Sequence, residues 1–309
     1  MIVFGLTLVY SDIAMQLLIY FVVAIALNFV IGYARALSIH HAALFGMGAF
    51  TYAVMAQRGW SNDLIVCGLV AALLGGLVSV ILAFGSLRIS GDYFIVASFA
   101  FQAFAINALF NWTSVSGGAN GDYGLPTPTV LGLAVSSTFA YITAAAVLAI
   151  TTLVFAIWLR RSPYGRLLRA MGDSPSALLT AGFGVLRLKV GVFGISGMLA
   201  AAAGVLYAAY LGVAQTGTFD VSLAILLVAI VVIGGTGSAV GSLLGATLIA
   251  FAQPLLSNLN LSATTTAAVQ QLIFAALLVG VVAVLPRGLV QLGDVRKLVP
   301  RRGAGATEP

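Results

Sequence analysis

The sequence has few charges, two lysines and a single cysteine. Only 7% of its 309 residues are charged, against roughly a quarter in soluble domains. A lone Cys67 excludes a disulfide within the chain and any metal cluster built from cysteines. Neither Lys189 nor Lys297 fits the phosphate-binding motif G-x-x-x-x-G-K-[ST], so the sequence contains no recognisable ATPase of its own.

Hydrophobic residues make up 61% of the sequence, and the mean hydropathy is +1.12. Apolar stretches of about 20 residues are typical of transmembrane helices, because a helix pairs its own backbone polar groups in lipid. The pattern predicts an all-α fold, a polytopic bundle of about nine segments (8–10). Three of these, the second, seventh and eighth, are short and Gly-rich, which indicates broken or re-entrant helices. The segments lie near 13–33, 42–57, 64–85, 93–110, 139–159, 191–211, 221–237, 242–257 and 267–285.

The basic residues predict the orientation, since cytoplasmic loops are enriched in Lys and Arg. Six of the 14 Lys and Arg residues lie in the loop 160–189. If that loop is cytoplasmic, alternation places every basic residue inside except Arg58. We therefore expect the N-terminus outside and the C-terminus inside. The net charge of +6 then reports membrane topology and does not indicate a nucleic-acid partner. We expect residues 1–290 to form one transmembrane domain with an external loop at 111–137, followed by a basic, disordered cytoplasmic tail, 291–309.

The loop 160–189 contains two start signals and two stop signals for helices. Ser162 and Ser174 are N-caps that precede proline, and Gly172 and Gly182 are expected to end the helices. The pattern predicts short helices at about 163–171 and 175–181, with Asp173 adding negative charge near the start of the second.

Two interpretations of this loop remain open on physical grounds. Arg166 and Arg169 share one face of the first predicted helix, and the second, "PSALLTA", is small and apolar. Such a helix suits docking into a groove on a soluble partner. The same segment equally suits contact with anionic lipid headgroups.

The segment "GGTGSAVGSLLG" (234–245) contains a fragment of a dinucleotide-binding fingerprint but not its full glycine spacing. A better interpretation is a stripe of small residues, Gly237, Gly241 and Gly245, that lets two helices approach closely in lipid. The adjacent His40 and His41 point in different directions on a helix and make a poor metal site. We expect both near the membrane interface.

Three classes of function are compatible with a chain of this kind. No carboxylate lies deep within the predicted spans, which weakens the case for a proton- or sodium-coupled carrier. A stand-alone carrier or channel and a purely structural scaffold remain alternatives. A permease driven by a separate ATPase would explain the elaborate internal loop.

Six segments, in order along the chain, resemble the LivM-type permeases, the membrane subunits of branched-chain amino acid ABC importers. Each match is weak alone, and together they are specific and cover most of the chain. They are "LSIHHAALFGMGAFTYA" (37–53), "GDYFIVASFAF" (91–101), "SGGANGDYGLP" (116–126), "YGRLLRAMGDSPSALLTAGFGVLRLKVGVFGISGMLAAAAGVLYA" (164–208), "VVIGGTGSAVGSLLGA" (231–246) and "VLPRGL" (284–289).

The resemblance implies that 160–189 is the loop through which such permeases couple to their ATPase. Gly182 stands at the family's loop glycine and Ala177 at one of the preceding alanines. The sequence departs where relatives carry glutamates, since it has Pro175 and Leu179 there, and Leu178 replaces an alanine. A second departure is a histidine at position 40, where relatives usually have glycine. The implied coupling residues are Arg166, Arg169, Asp173, Pro175, Ala177, Leu178, Leu179 and Gly182.

The resemblance also implies the partners and the mechanism. A LivH-type second permease, two cytoplasmic ATPase subunits that bind ATP-Mg and a periplasmic or extracellular binding protein would complete an importer in the bacterial inner membrane. The permease itself would bind no cofactor or metal and catalyse no bond chemistry. Substrates would be branched-chain amino acids, with aromatic acids or urea and short amides as alternatives. Helix breaks offer free backbone groups to a substrate, and the candidate path residues are Gly46, Gly48, Tyr93, Phe94, Gly234, Gly235 and Gly237.

Overall fold

A computed structural model describes residues 2–88, 92–118 and 120–257, together with the single positions 272 and 276. Within the described ranges, six helices are long and apolar enough to cross a bilayer, and the predicted all-α, multi-span class is confirmed. The ninth predicted segment and the basic tail lie outside the described residues. The six candidate spans are Tyr10–Tyr33, Leu64–Gly85, Tyr93–Asn111, Thr138–Arg161, Val185–Leu211 and Thr216–Gly234.

The helices follow one another with short connections. In chain order they are α1 Ile2–Asn28, α2 His41–Gln57, α3 Leu64–Arg88, α4 Asp92–Asn111, α5 Thr113–Ser116, α6 Thr138–Arg161, α7 Pro163–Asp173, α8 Pro175–Thr180, α9 Val185–Leu211, α10 Val221–Gly234 and α11 Ala239–Ser257. A π-helical turn, Phe29–Tyr33, continues α1, and a 3-10 turn, Thr216–Phe219, precedes α10. Two-residue strands form two antiparallel pairs, β1 Asp122–Tyr123 with β4 Val213–Ala214 and β2 Thr129–Val130 with β3 Leu133–Ala134.

The centre of the bundle is the crossing of α2 and α9, where main chains touch. A Cβ built on Gly48 would lie 1.9 Å from the Ala201 carbonyl oxygen, and one on Gly204 would lie 2.0 Å from the Phe45 carbonyl oxygen. No side chain fits at either position. Small residues provide this close approach because van der Waals packing, and not the hydrophobic effect, holds helices together in lipid.

The connecting segments sort to two opposite ends of the bundle. At one end Arg58 donates to the Ser114 carbonyl oxygen and Asn62 to that of Thr127, and β1 pairs with β4 there. At the other end Arg35 forms an ion pair with Asp173. The contacts between connecting segments thus form two separate groups.

The helix α2 begins deep inside the bundle. The ring of His40, the residue before α2, stacks on Phe193, which lies eight positions into α9. At 1.5 Å per residue, the start of α2 therefore lies about 12 Å along α9 from the first residue of that helix. The non-helical segment 34–40 leads down to it, and the Ile39 N–H donates to Ser98 Oγ at 3.1 Å. The histidine pair is completely buried, unlike the interfacial position expected from the sequence.

Two glycines of the predicted stripe lie against α10. A Cβ on Gly241 would stand 2.5 Å from the Gly234 carbonyl oxygen, and one on Gly245 would stand 2.1 Å from that of Ile230. Gly237 differs from the prediction. It lies in the turn before α11 with a φ of +79°, and its nearest neighbour is Gly32 of the π-helical turn. The stripe therefore has two members, and the third glycine serves the turn.

We expect Gly241→Leu to force α10 and α11 apart and to reduce the yield of folded protein extracted in mild detergent. Overpacking costs about 1–3 kcal/mol even where side chains can move, and here the obstacle is backbone. The measurement is size-exclusion chromatography of a fluorescent fusion.

Gly68→Leu is the matched control, because a Cβ there meets nothing within 4 Å on α3. Val240→Ile, at an exposed neighbouring position, should also behave as wild type. Equal yields for Gly241→Leu and Gly68→Leu would contradict the contact between α10 and α11.

Candidate functional site

Both short helices of the loop begin with a serine cap. Ser162 Oγ accepts the N–H of Gly165 at 3.0 Å, and Ser174 Oγ accepts the N–H of Ala177 at 3.4 Å. A proline occupies the first helical position of each, where its missing N–H would have had no partner within the helix. The two starts lie where the Ser-Pro pairs predict them.

The end of α8 requires a glycine. The N–H of Gly182 donates to the Leu179 carbonyl oxygen, and the N–H of Phe183 donates to that of Leu178, both at 3.0 Å. This pair of bonds is the Schellman ending, in which the residue after the cap adopts a left-handed conformation. Gly182 has a φ of +83°, and open space surrounds its Cβ position. Backbone conformation, not crowding, therefore selects glycine here.

The apolar residues of α8 divide between the protein and its surface. Leu178 is buried, whereas the side chain of Leu179 is 60% exposed. Phe183 and Leu186 are also exposed, and they follow α8 closely in sequence. Ala177 is exposed as well. Leu178 thus anchors α8 to its own chain, and Leu179, Phe183 and Leu186 provide the apolar surface of the loop.

The two arginines of α7 reach back to the end of α6. Arg166 Nη1 donates to the Arg161 carbonyl oxygen at 3.5 Å, and Arg169 Nη1 donates to that of Arg160 at 3.1 Å. Carbonyl groups at the end of a helix have no partner within it, so arginines suit this position. These contacts hold α7 against α6.

Tyr164 fixes the start of α7 against α9. Its hydroxyl donates to the Leu188 carbonyl oxygen at 3.3 Å, and Gly191 leaves room for it, since a Cβ there would lie 2.1 Å from the oxygen. Burial raises the pKa of the Tyr164 hydroxyl above its usual value. The phenol therefore stays neutral and remains a donor.

The end of α7 lies against the turn that ends α1. Asp173 Oδ1 is 2.5 Å from Arg35 Nη2, and a Cβ on Gly172 would lie 2.5 Å from the Tyr33 carbonyl oxygen. Gly172 does not end the helix, as the sequence had indicated, because α7 continues to Asp173. Its role is the close approach to Tyr33. Arg35 has a φ of +47°, a conformation that is costly for a residue with a side chain and that marks functional sites.

A single amide side chain holds the break between α10 and α11. Asn28 Oδ1 accepts the N–H of Gly237 at 2.6 Å. Its Nδ2 donates to the Ser238 carbonyl oxygen at 3.0 Å and to Ser242 Oγ at 2.8 Å. A Cβ on Gly32, in the π-helical turn, would lie 2.5 Å from the Gly237 nitrogen. Two helix interruptions therefore lie against each other, with Asn28 between them.

The glycines of the break have distinct roles. Gly235 and Gly237 have φ values of +117° and +79°, which L-residues with side chains rarely adopt. Gly234 is the last residue of α10, and a Cβ there would lie 1.9 Å from the Gly241 carbonyl oxygen. Conformation explains the first two glycines, and packing explains the third.

A second buried polar group lies at the start of α2. His41 Nε2 is 2.6 Å from Ser196 Oγ, and that hydroxyl lies 2.5 Å from the Ala26 carbonyl oxygen. The hydroxyl has one proton, which it donates to the carbonyl, so His41 must carry its own proton on Nε2. Nδ1 then accepts from Ser38, whose Oγ is 3.4 Å away. This arrangement links α1, α2 and α9.

His40 has no such partner. Both ring nitrogens are buried, and neither has a hydrogen bond among the described residues. The ring stacks on that of Phe193, with the ring centroids 6.2 Å apart and an interplanar angle of 10°, and it meets the Phe101 ring edge-on. A buried polar group without a partner is costly, and the ring contacts of His40 are with His41, Phe101 and Phe193.

The candidate path residues do not converge on one site. A Cβ built on Gly46 would lie 2.9 Å from the ring of Phe219, whereas one built on Gly48 would meet the backbone of α9. Phe94 is buried, and Tyr93, next to it, is 80% exposed. Of the three glycines at the break, Gly237 bonds to Asn28 and Gly234 packs against Gly241. The set therefore divides between the start of α2 and the break.

Sequence reasoning missed several residues that organise these places. Asn28 and Ser196 are polar residues in long apolar runs, which was the available signal. Gln102, also within a span, accepts the N–H of Ala43 at 2.7 Å and donates to the Phe219 carbonyl oxygen at 2.9 Å. Among the described residues, no group of three His, Cys, Asp or Glu side chains is placed to hold a metal ion.

Comparison with known proteins gives a consistent result. The family model for the branched-chain amino acid transport system permease component matches residues 9–282. The high-affinity branched-chain amino acid transport system permease protein LivM of Escherichia coli is 30% identical over 276 residues, 81% of this chain and 64% of that relative. The protein of the same name from Salmonella typhimurium is 30% identical over 275 residues, again covering 81% and 64%.

A shorter match involves a different substrate. The ribose import permease protein RbsC of Haemophilus influenzae is 38% identical over 122 residues, 37% of this chain and 38% of that protein. This chain spans 64% of the length of the two LivM proteins. No solved structure matches.

We expect Asn28→Leu to destabilise the protein markedly. The change preserves size but removes the acceptor of the Gly237 N–H and the donor to Ser242 Oγ, at a cost of roughly 1–3 kcal/mol for a polar group left unsatisfied. The Ser238 carbonyl oxygen keeps its bond from the Ser242 N–H at 3.1 Å. The thermal unfolding midpoint in detergent should fall clearly.

Asn107→Leu is the control, since that exposed amide bonds only to the Ala103 carbonyl oxygen of its own helix. If both variants unfold at the wild-type temperature, Asn28 does not hold the break.

Proposed function

Because this chain belongs to the family of permease components of branched-chain amino acid transport systems, we propose that it is a transmembrane subunit of an ATP-driven importer. It forms part of the substrate path across the bacterial inner membrane and transmits the work of separate ATPase subunits. It performs no chemistry itself. ATP-Mg binds to those partners, in keeping with the lack of a phosphate-binding lysine motif.

The observation that carries the proposal is the construction of the loop between α6 and α9. Its α8 is capped at both ends and turns Leu179 outward while Leu178 holds it to the bundle. A short helix with a fixed position and an exposed apolar residue suits a groove on a soluble protein. The loop's Asp173 also pairs with Arg35, so a force on α8 reaches the turn at the end of α1.

The remaining partners follow from the same assignment. A LivH-type second permease would complete the path, and a binding protein would deliver substrate at the end of the bundle that carries β1–β4. Exposed apolar residues on α3, α4 and α6, such as Leu73, Phe104 and Ile150, would face lipid or this second subunit.

We assign branched-chain amino acids as the substrate class. The two LivM relatives carry that substrate in their names, and an apolar path suits aliphatic side chains. The candidate path residues around the start of α2 and the break at Gly235 and Gly237 would provide backbone groups for the polar end of the substrate. Transport would proceed by alternating access, with the coupling loop biasing two states of the bundle.

The proposed architecture has about nine segments with Gly-rich breaks, an external N-terminus and a cytoplasmic C-terminus. The 13-to-1 division of basic residues supports this orientation. The two separate groups of loop contacts, around Arg58 and around Arg35, support the alternation of the loops between the two sides.

We expect a membrane-impermeant maleimide to label a cysteine at Asn120 in intact cells and to miss one at Ser176. Both positions are exposed, and the native Cys67 is buried and would be replaced by alanine. After permeabilisation Ser176→Cys should label as well. Labelling of Ser176→Cys alone in intact cells would reverse the orientation and remove the docking surface from the cytoplasm.

We expect Gly182→Val and Leu179→Asp each to reduce recovery of the ATPase subunits with the permease while membrane insertion stays normal. Valine is strained in the left-handed conformation that ends α8 by roughly 1 kcal/mol or more. Aspartate would place a charge in an apolar groove. The measurement is co-purification of ATPase subunits from membranes that hold all the partners.

Two changes at the opposite end of the bundle serve as matched controls. Gly59 has a φ of +68° with open space around it, so Gly59→Val imposes the same strain away from the loop. Leu133 is exposed in β3, so Leu133→Asp adds the same charge. Undiminished ATPase recovery with both loop variants would contradict the docking role. Losses that follow the anionic lipid content would instead support lipid contact by α8.

A further inference from the structure

A cavity of about 670 Å³ opens at the end of the bundle that carries the loop. Its walls come from α6, α7, the π-helical turn of α1, and the break together with the first residues of α11. Three arginines line it, Arg160, Arg161 and Arg169, and the other lining residues are Gly32, Tyr33, Leu153, Ala156, Ile157, Gly237, Ala239 and Val240. The cavity is thus basic at one end and largely apolar along its walls.

Among the described residues, the charge of the three arginines is not balanced locally. No acidic residue of the described ranges lines the cavity, and Asp173, the acidic residue of α7, is paired with Arg35. Arg169 donates to a main-chain carbonyl oxygen, which leaves its full positive charge in place. Uncompensated guanidinium groups at the edge of a membrane bind phosphate oxygens, often through two hydrogen bonds at once.

The apolar wall shows what kind of anion fits. Leu153, Ala156 and Ile157 lie on α6 at the three- and four-residue spacing of one helix face. Leu153 precedes Arg160 by seven residues, or about 10 Å along the helix. The wall therefore runs from the arginines toward the middle of the membrane. A free inorganic anion would leave this surface wet, whereas a lipid would cover it with an acyl chain.

We propose that this cavity binds the headgroup of an anionic phospholipid. The phosphate contacts Arg160, Arg161 and Arg169, and one acyl chain lies along the apolar face of α6. Basic pockets between transmembrane helices bind acidic headgroups in this way. The bound lipid would also touch Tyr33 and Gly237, and so brace the two helix interruptions that Asn28 joins.

Trp158 provides a reporter for the test. It is exposed on α6, two positions before Arg160, and its ring lies 5.8 Å from that of Phe155. The other two tryptophans, Trp60 and Trp112, are at the opposite end and would be replaced by phenylalanine. Purified protein is reconstituted in phosphatidylcholine vesicles that contain a small fraction of brominated phosphatidylglycerol or, separately, brominated phosphatidylcholine. Bromine on an adjacent acyl chain quenches the Trp158 fluorescence.

We expect stronger quenching by brominated phosphatidylglycerol than by brominated phosphatidylcholine at equal content. Each arginine near a charged membrane surface contributes about a fivefold preference. The double variant Arg160→Gln, Arg161→Gln should therefore bring the two lipids close to parity. Arg187→Gln, at the same end but outside the cavity lining, should keep the wild-type preference.

Three results would overturn the proposal: equal quenching by both lipids in the parent protein, an unchanged preference in the double variant, or an equal loss in Arg187→Gln. Reversal of the quenching by excess inorganic phosphate would identify a small-anion site instead. Recovery of ATPase subunits by the double variant should stay normal, because α7 contacts the main-chain carbonyl oxygens of Arg160 and Arg161 and not their side chains. The two measurements therefore test the lipid site and the docking role of α8 independently.

Discussion

Asn28 satisfies the constraint on which this bundle depends, that no backbone polar group at membrane depth be left unpaired. Its amide oxygen and nitrogen together serve the break at Gly237 and Ser238. The π-helical turn of α1 begins at the next residue. Without that amide, the Gly237 N–H in the turn between α10 and α11 would lose its acceptor. When the bundle changes shape in lipid, the side chains that pair with backbone groups at its helix breaks must move together with those breaks.

A continuous set of contacts leads from this amide to the surface of the loop. Asn28 lies one turn before Tyr33, and the Tyr33 carbonyl oxygen lies against Gly172 of α7. Asp173 then pairs with Arg35, and α8 follows directly. These contacts thus connect the apolar residues that α8 exposes to the helix interruptions. The central claim is that they couple the loop to the bundle.

Local signals in the sequence predicted the membrane class, both serine caps and the left-handed Gly182, because each depends on hydropathy or on a few neighbouring residues. The role of Asn28 depends on a partner 209 positions away, which no local pattern reveals. Gly172 has the sequence context of a glycine that ends a helix, but its contact with Tyr33 comes from tertiary packing. The same holds for His40, which the neighbouring Arg35 made look interfacial and which the crossing of α2 and α9 buries.

The coupling claim is tested most directly with Gly172→Val in the complete importer, reconstituted in vesicles with its ATPase subunits and binding protein. The added side chain would push α7 from the Tyr33 carbonyl oxygen, which would lie 2.5 Å from a Cβ, and leave α8 unchanged. ATP hydrolysis and substrate uptake are measured together. The account predicts normal ATPase recovery and continued hydrolysis, with many more ATP molecules consumed per substrate transported. An unchanged ratio of ATP to substrate would contradict it.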